Sequence, residues 1–246
     1  MRILDTKNLC RLFVASLLLL INLKASAAED LSAPEGDRKK SDSKVIQRYE
    51  KWLDILKGTP PPAGALICIG SSQMEFWKTV ATDLAPLTVY NHGIGGSRMS
   101  HAADLFITNL AIPFKPRAVI LYEGSNDLAG GVPPETVLEQ FQKLHTKLHE
   151  ALPETRLYVL GLVPSPGKRF DKIEDLRKTN ALLRKECESQ AWMKFIDTTS
   201  PLIGVDGVPK EECFIPGNIH MTPAGYSVWT SVIAPVVIPA EKVFEK

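Results

Sequence analysis

The sequence has few cysteines, almost no net charge and no apolar run long enough to span a bilayer, and each shortage removes a class of protein. Only 4 cysteines in 246 residues exclude a small scaffold stapled by disulfides. With 29 Lys and Arg against 28 Asp and Glu, the chain has no bulk attraction to nucleic acid or to an anionic membrane surface. The longest apolar run, Leu12 to Leu23, is broken by Ser16 and Asn22 and falls short of the roughly 20 residues that cross a membrane. Internal repeats and low-complexity tracts are missing as well. Several catalytic signatures are also absent. No Gly-x-Ser-x-Gly elbow surrounds any serine of interest. The stretch Gly161 to Lys168 resembles a phosphate loop but has five residues between its glycines and no Ser or Thr after the lysine. His145 and His149 have the i, i+4 spacing of a zinc pair, yet Thr146 stands where the general-base Glu would be, so a solvated helix face is expected. No metal or cofactor is expected.

What is present begins with an export signal. Arg2, Lys7 and Arg11 precede the apolar run, and Ala25, Ser26 and Ala27 follow it, the pattern of a secretory segment cleaved after Ala27. Cys10 lies ahead of the apolar core, so a lipid-anchored cysteine is not indicated. The expected mature protein is soluble and secreted or periplasmic, with no membrane attachment. Removing Arg2, Lys7, Arg11 and Lys24 together with Asp5 leaves 25 basic and 27 acidic residues, a net charge of about −2. An oxidising compartment permits one disulfide among Cys68, Cys187 and Cys213, and Cys187–Cys213 is the pair that avoids an expected buried strand.

Residues 28–43 are charged and small and bury too little apolar surface to offset their ordering entropy, so they are expected to form a flexible lead. Residues 44–246 then form one domain. Val45, Tyr49, Trp52, Leu53 and Leu56 recur at helical spacing up to Gly58 and the prolines 60–62. Beyond them, short apolar runs near residues 65–69, 87–90, 117–122, 156–163 and 193–197 alternate with helical stretches marked by Val137, Phe141, Leu144 and Leu148, and by Leu176, Leu183 and Cys187. A last helix begins after Thr222, its N-cap, with Pro223 at the first position. This alternation is the sequence form of a parallel sheet covered on both faces, whose ligands sit beyond the carboxyl ends of its strands.

Four polar segments fall at that edge: Gly70-Ser71-Ser72-Gln73, Asn91 to Ser97, Gly124-Ser125-Asn126-Asp127 and Gly217-Asn218-Ile219-His220. Singly, each is the common material of caps and turns. Jointly, they supply what acyl transfer needs. Ser72 offers a hydroxyl and its own N–H at a helix start, and His220 is the candidate base that would take the hydroxyl proton. Gly96 allows close backbone approach with another N–H, and Asn126 offers a side-chain amide, both suited to an oxygen gaining negative charge. His92 and His101 flank the second segment and read as ordinary loop histidines. Arg98 reads as a surface residue with an outside chance of meeting substrate.

The order Gly-Ser-Ser, Asn-x-Gly-x-Gly-Gly-Ser, Gly-x-Asn-Asp and His-Met-Thr-Pro-Ala-Gly-Tyr resembles the SGNH hydrolase superfamily of GDSL-like lipases and esterases, from about Pro60 to Val237. It is most similar to the branch whose first segment reads Gly-Ser-Ser and continues to a Trp, here Trp77. The resemblance implies a flavodoxin-like three-layer α/β/α sandwich with a five-stranded parallel sheet, and esterase or acylhydrolase activity. It implies Ser72 as nucleophile, Gly96 and Asn126 in the oxyanion hole, and His220 as base. The substrate expected is a small acyl ester or an acylated carbohydrate.

The fourth segment departs from the family, which places Asp three residues before its catalytic His, where this chain has Gly217. Three accounts stay open. A backbone carbonyl or the Asn218 amide orients the imidazole, giving a Ser-His dyad. A distant carboxylate, Glu123, Asp206 or Glu211, takes the role. Or the protein has lost activity and kept a carbohydrate- or acyl-binding pocket.

Overall fold

The computed structural model describes residues 35–245. The expected signal segment, residues 1–27, lies outside them, as does the start of the expected lead. The described part of that lead is not loose: helix α1 runs Glu35–Gly58, so residues 35–43 are its first turns. Residues 35–43 contain no large apolar side chain, so apolar spacing shows only the later turns. Those turns bury Val45, Tyr49 and Leu56.

Five strands follow: β1 (Leu66–Gly70), β2 (Val89–Asn91), β3 (Ala118–Tyr122), β4 (Arg156–Leu160) and β5 (Met193–Ile196). All neighbours pair parallel in the order β2-β1-β3-β4-β5, with Leu66 opposite both Val89 and Ala118. Every residue of β1 and β3 is buried, as a sheet covered on both faces requires. β4 ends at Leu160, short of the apolar run. The N–H groups of Leu162 and Val163 bond to Asn180 Oδ1 and Tyr122 Oη, leaving the ladder.

On one face lie α4 (Met99–His101), the π-helical segment Ala102–Ala111, α6 (Pro134–Ala151) and α7 (Ile173–Glu188). The other carries α2 (Ser72–Phe76), α3 (Val80–Asp83) and α8 (Pro223–Glu241), and the short helix α5 (Ser125–Ala129) follows β3. Thr222 caps α8 by accepting from Gly225 N at 3.3 Å, with Pro223 at the first position. Under α8, Trp229 meets Trp77 and Tyr122 with ring centres 5.6 and 5.2 Å apart. The helix anchors its far end through buried Glu241, whose oxygens accept from Arg156 Nε and Nη2 at 2.6 and 2.7 Å and from Tyr158 Oη at 2.7 Å.

The expected disulfide does not form: Cys68, Cys187 and Cys213 are all free and buried. Cys187 sits on α7, beside α6, whereas Cys213 packs under α8. The two helices cover opposite faces of the sheet, and a disulfide reaches only about 6 Å between Cα atoms. The expected solvated face holds for His149, which is exposed, but not for His145. His145 is buried with Nε2 3.1 Å from Glu186 Oε1, and His149 stacks on Trp192 at 4.5 Å.

Candidate active site

The strand order reverses at β1, whose two neighbours are β2 and β3, and such a switch point opens a crevice at the carboxyl ends of the strands. Ser72 follows β1 directly, as the first residue of α2. The turn before it is tight: a Cβ on Gly70 would stand 2.6 Å from Tyr122 O, so only glycine lets the chain swing there. Ser72 is partly exposed while Ser71 is buried, which identifies the accessible hydroxyl.

His220 comes from the loop before α8 and reaches back across the crevice. Its Nε2 lies 3.0 Å from Ser72 Oγ, so the neutral ring with its proton on Nδ1 accepts the hydroxyl hydrogen. Phe76 packs edge-on against the ring at 4.8 Å. Among the described residues no carboxylate pairs with His220. Glu123 is buried and bonded to Ser97 Oγ, and Asp206 accepts from Val208 N within its own turn. Glu211 stays at the surface. Asn218 turns away too: its Oδ1 accepts the backbone N–H groups of Ile219 and His220 at 2.7 and 3.2 Å.

A residue that the sequence did not single out grips the histidine. Gln73 is buried, and its side-chain amide spans the loop on both sides of His220. Nε2 donates to Ile219 O at 2.8 Å, and Oε1 accepts from Met221 N at 3.3 Å. Ser165 Oγ adds a second donor to Ile219 O at 2.9 Å. The imidazole is therefore aimed through its own backbone. Burial lowers the His220 pKa below the ordinary value, the Arg169 guanidinium lowers it further, and Glu75 acts in the opposite direction.

Gly96 and Asn126 line the same cleft as Ser72 and His220, a space of about 320 Å³. Gly96 has φ 86°, the left-handed region that favours glycine. The residue before it is held at both its backbone groups, with Gly95 N donating to Glu75 Oε2 at 2.9 Å and Arg48 Nη1 donating to Gly95 O at 2.7 Å. Asn126 donates one amide hydrogen to Ser97 O at 2.8 Å, leaving the other for the cleft. Its orientation is fixed by Arg169, whose Nη2 donates to Asn126 Oδ1 at 2.8 Å while Nη1 reaches Ser125 O at 3.2 Å. All four residues expected at the site thus meet in one cleft. Arg169 and Gln73 complete it.

The flanking histidines stay outside the chemistry. His92 is buried with Nδ1 2.8 Å from Leu110 O, and burial depresses its pKa. His101 Nδ1 accepts from Arg98 N at 3.1 Å, closing the first turn of α4. Arg98 lies 3.6 Å from Asp42 of α1, a structural contact rather than a substrate contact.

A model of the GDSL-like lipase/acylhydrolase family matches residues 67–228. The chain is similar to human platelet-activating factor acetylhydrolase IB subunit alpha2, 24% identical over 209 residues that cover 82% of this chain and 83% of that protein. The alpha1 subunit from Bos taurus is 24% identical over 192 residues, covering 76% and 79% of the two chains. In fold it is similar to a GDSL-like lipase from Bacteroides thetaiotaomicron, with a TM-score of 0.68 at 18% identity over 78% of this chain and 98% of that one. A carbohydrate esterase family 3 structure from Talaromyces cellulolyticus gives 0.55 at 16% identity, over 73% and 99%.

Proposed function

The chain belongs to the GDSL-like lipase/acylhydrolase family, and on that premise we propose that it hydrolyses carboxylic esters with Ser72 as nucleophile and His220 as general base. The observation that carries this reading is the 3.0 Å contact between His220 Nε2 and Ser72 Oγ inside a cleft. As Oγ attacks the acyl carbon, Nε2 takes its proton. The carbonyl oxygen becomes an oxyanion facing the N–H groups of Ser72 and Gly96 and the free amide hydrogen of Asn126. Collapse expels the alcohol, which receives the proton from His220. Water activated by the same nitrogen then releases the acid from the acyl-enzyme.

No carboxylate is hydrogen-bonded to the imidazole in this scheme, so the site works as a dyad whose histidine is aimed by Gln73. Loss of the acid from a serine triad costs about 10⁴ in turnover, yet substantial catalysis over water remains. A cleft of about 320 Å³ suits a short acyl group on a small alcohol. The acetylhydrolase and carbohydrate-esterase names of its relatives favour an acetylated carbohydrate. Export after cleavage at Ala27 belongs to the same proposal, and N-terminal sequencing of the mature protein tests it.

The missing carboxylate favours one other reading, a relative that binds esters without cleaving them. A fluorophosphonate probe separates the two, because only a serine activated by a base reacts quickly with it. The expected result is labelling of the wild type and of Ser71→Ala but not of Ser72→Ala, with p-nitrophenyl acetate hydrolysis following the same pattern. An unlabelled, folded wild type would leave the binding reading standing.

A further inference from the structure

The cleft carries three cationic side chains, Lys44 and Arg48 from α1 and Arg169 from the loop after β4, against one carboxylate, Glu75. Glu75 is already engaged, lying 3.8 Å from Arg48 and accepting from Gly95 N. Lys44 is exposed and makes no hydrogen bond or ion pair among the described residues. Arg169 is half-buried, and both of its hydrogen bonds go to neutral oxygens, Ser125 O and Asn126 Oδ1, so its charge also lacks a carboxylate partner. A protein whose charges nearly balance overall therefore concentrates two uncompensated positive charges around one nucleophile. Structural arginines are normally paired when partly buried, because an unpaired charge there is costly. Two unpaired cations lining one cleft are the arrangement expected where the counter-ion arrives with the ligand.

The catalytic cycle strengthens the case. Proton transfer to His220 would place a further positive charge in a cleft that already has an excess, with no aspartate at position 217 to offset it. An anion on the substrate supplies that missing negative charge. We propose that the natural substrate is an ester bearing an anionic group, a carboxylate, sulfate or phosphate, held by Lys44 and Arg169, which line the same cleft. This rests on the ester-hydrolase reading and names its substrate class.

The anion belongs either to the acyl group or to the alcohol, and matched pairs distinguish the two. On the acyl side, mono-p-nitrophenyl glutarate is compared with p-nitrophenyl pentanoate. On the alcohol side, the acetylated methyl glycoside of glucuronic acid is compared with that of glucose. The anionic member of one pair should be favoured about tenfold in kcat/KM, the size expected of two partly exposed charge contacts, and the preference should shrink in high salt. Lys44→Glu should abolish the preference and Lys44→Arg should keep it. Affinity of the Ser72→Ala protein for the same four compounds, by calorimetry, should follow the same order. Equal treatment of both members of both pairs, in turnover and in binding, overturns the proposal while leaving ester hydrolysis intact. If no ester is cleaved and Ser72 resists the fluorophosphonate, the hydrolase reading fails. The calorimetric ratio then decides the anion site alone.

Discussion

Replacing Gln73 by alanine tests whether backbone positioning stands in for the absent acid. The substitution removes a good hydrogen bond of 2.8 Å to Ile219 O and a longer one of 3.3 Å from Met221 N. Ile219 O keeps Ser165 Oγ at 2.9 Å, but Met221 is buried and its N–H loses its acceptor. A net loss of about 1 kcal/mol for the first bond and about 1–3 kcal/mol for the orphaned donor gives a destabilisation of about 2–4 kcal/mol. A domain of ordinary stability, about 5–15 kcal/mol, tolerates this and stays folded with a lower Tm. The catalytic effect should be larger. A displacement of about 1 Å in a catalytic group costs on the order of 10² in rate. The expected outcome is therefore a fall of about 10² in kcat on p-nitrophenyl acetate with KM little changed, read alongside Tm by differential scanning fluorimetry. Gln73→Glu keeps the acceptor for Met221 N but sets a carboxylate oxygen against Ile219 O, and should behave no better. A variant with lowered Tm and kcat within about twofold of wild type would refute the argument, because His220 would then be aimed by something else.

Asn126→Ala should lower kcat about 10²–10³ while moving KM little, since its free amide hydrogen matters once the oxyanion forms; unchanged turnover in a folded variant removes it from that role. Arg169→Met removes a positive charge that depresses the His220 pKa, so that pKa rises and the acid limb of the kcat/KM profile moves to higher pH. Turnover on neutral esters should also fall about tenfold as Asn126 loses its anchor, about the worth of one charge-assisted hydrogen bond. A limb that stays put or moves down contradicts the assignment of His220 as the base. Gly217→Asp restores the family's acid at a residue with φ 70° and open space where the Cβ would lie, so about 1 kcal/mol of stability is lost to backbone strain. A carboxylate reaching His220 would raise its pKa and again move the acid limb upward. An unmoved limb means the new side chain does not reach the ring.

The sheet was legible because its strands are short apolar runs buried on both faces, and the edge that carries the chemistry followed from the alternation of strands and helices. Ser72, Gly96, Asn126 and His220 were legible as types at the right edge. What brings them together was not. Gln73 is a buried amide whose partners lie far along the chain, and nothing local in Gly-Ser-Ser-Gln reports that pairing. Arg169 sits in a short 3₁₀ segment, Gly167–Lys172, without periodicity of its own. The segment Ala102–Ala111 also escaped. Its buried positions, Ala102, Ala103, Phe106, Ile107, Leu110 and Ala111, repeat every fourth residue, a longer period than the 3.6 of an α-helix and in keeping with its wider π winding. The first turns of α1 escaped for the opposite reason. They carry no apolar pattern.

That helix has a consequence for how such a site changes over time. The nucleophile, the base and the oxyanion donors are fixed by turns at the ends of a buried sheet, where Gly70 tolerates no Cβ and Gln73 is buried. One wall of the cleft, with Ser41, Lys44, Val45 and Arg48, belongs instead to α1, which stands outside the sheet. Lys44 is exposed and Ser41 half-buried, so these two can be exchanged without repacking the interior, whereas Val45 is buried and Arg48 holds Gly95. Lys44 can therefore change without touching the groups that carry the chemistry, provided Val45 and Arg48 are kept. Exchanging the exposed positions of that helix around Lys44, with Val45 and Arg48 kept, should alter the response to an anionic ester and leave the catalytic groups as they were.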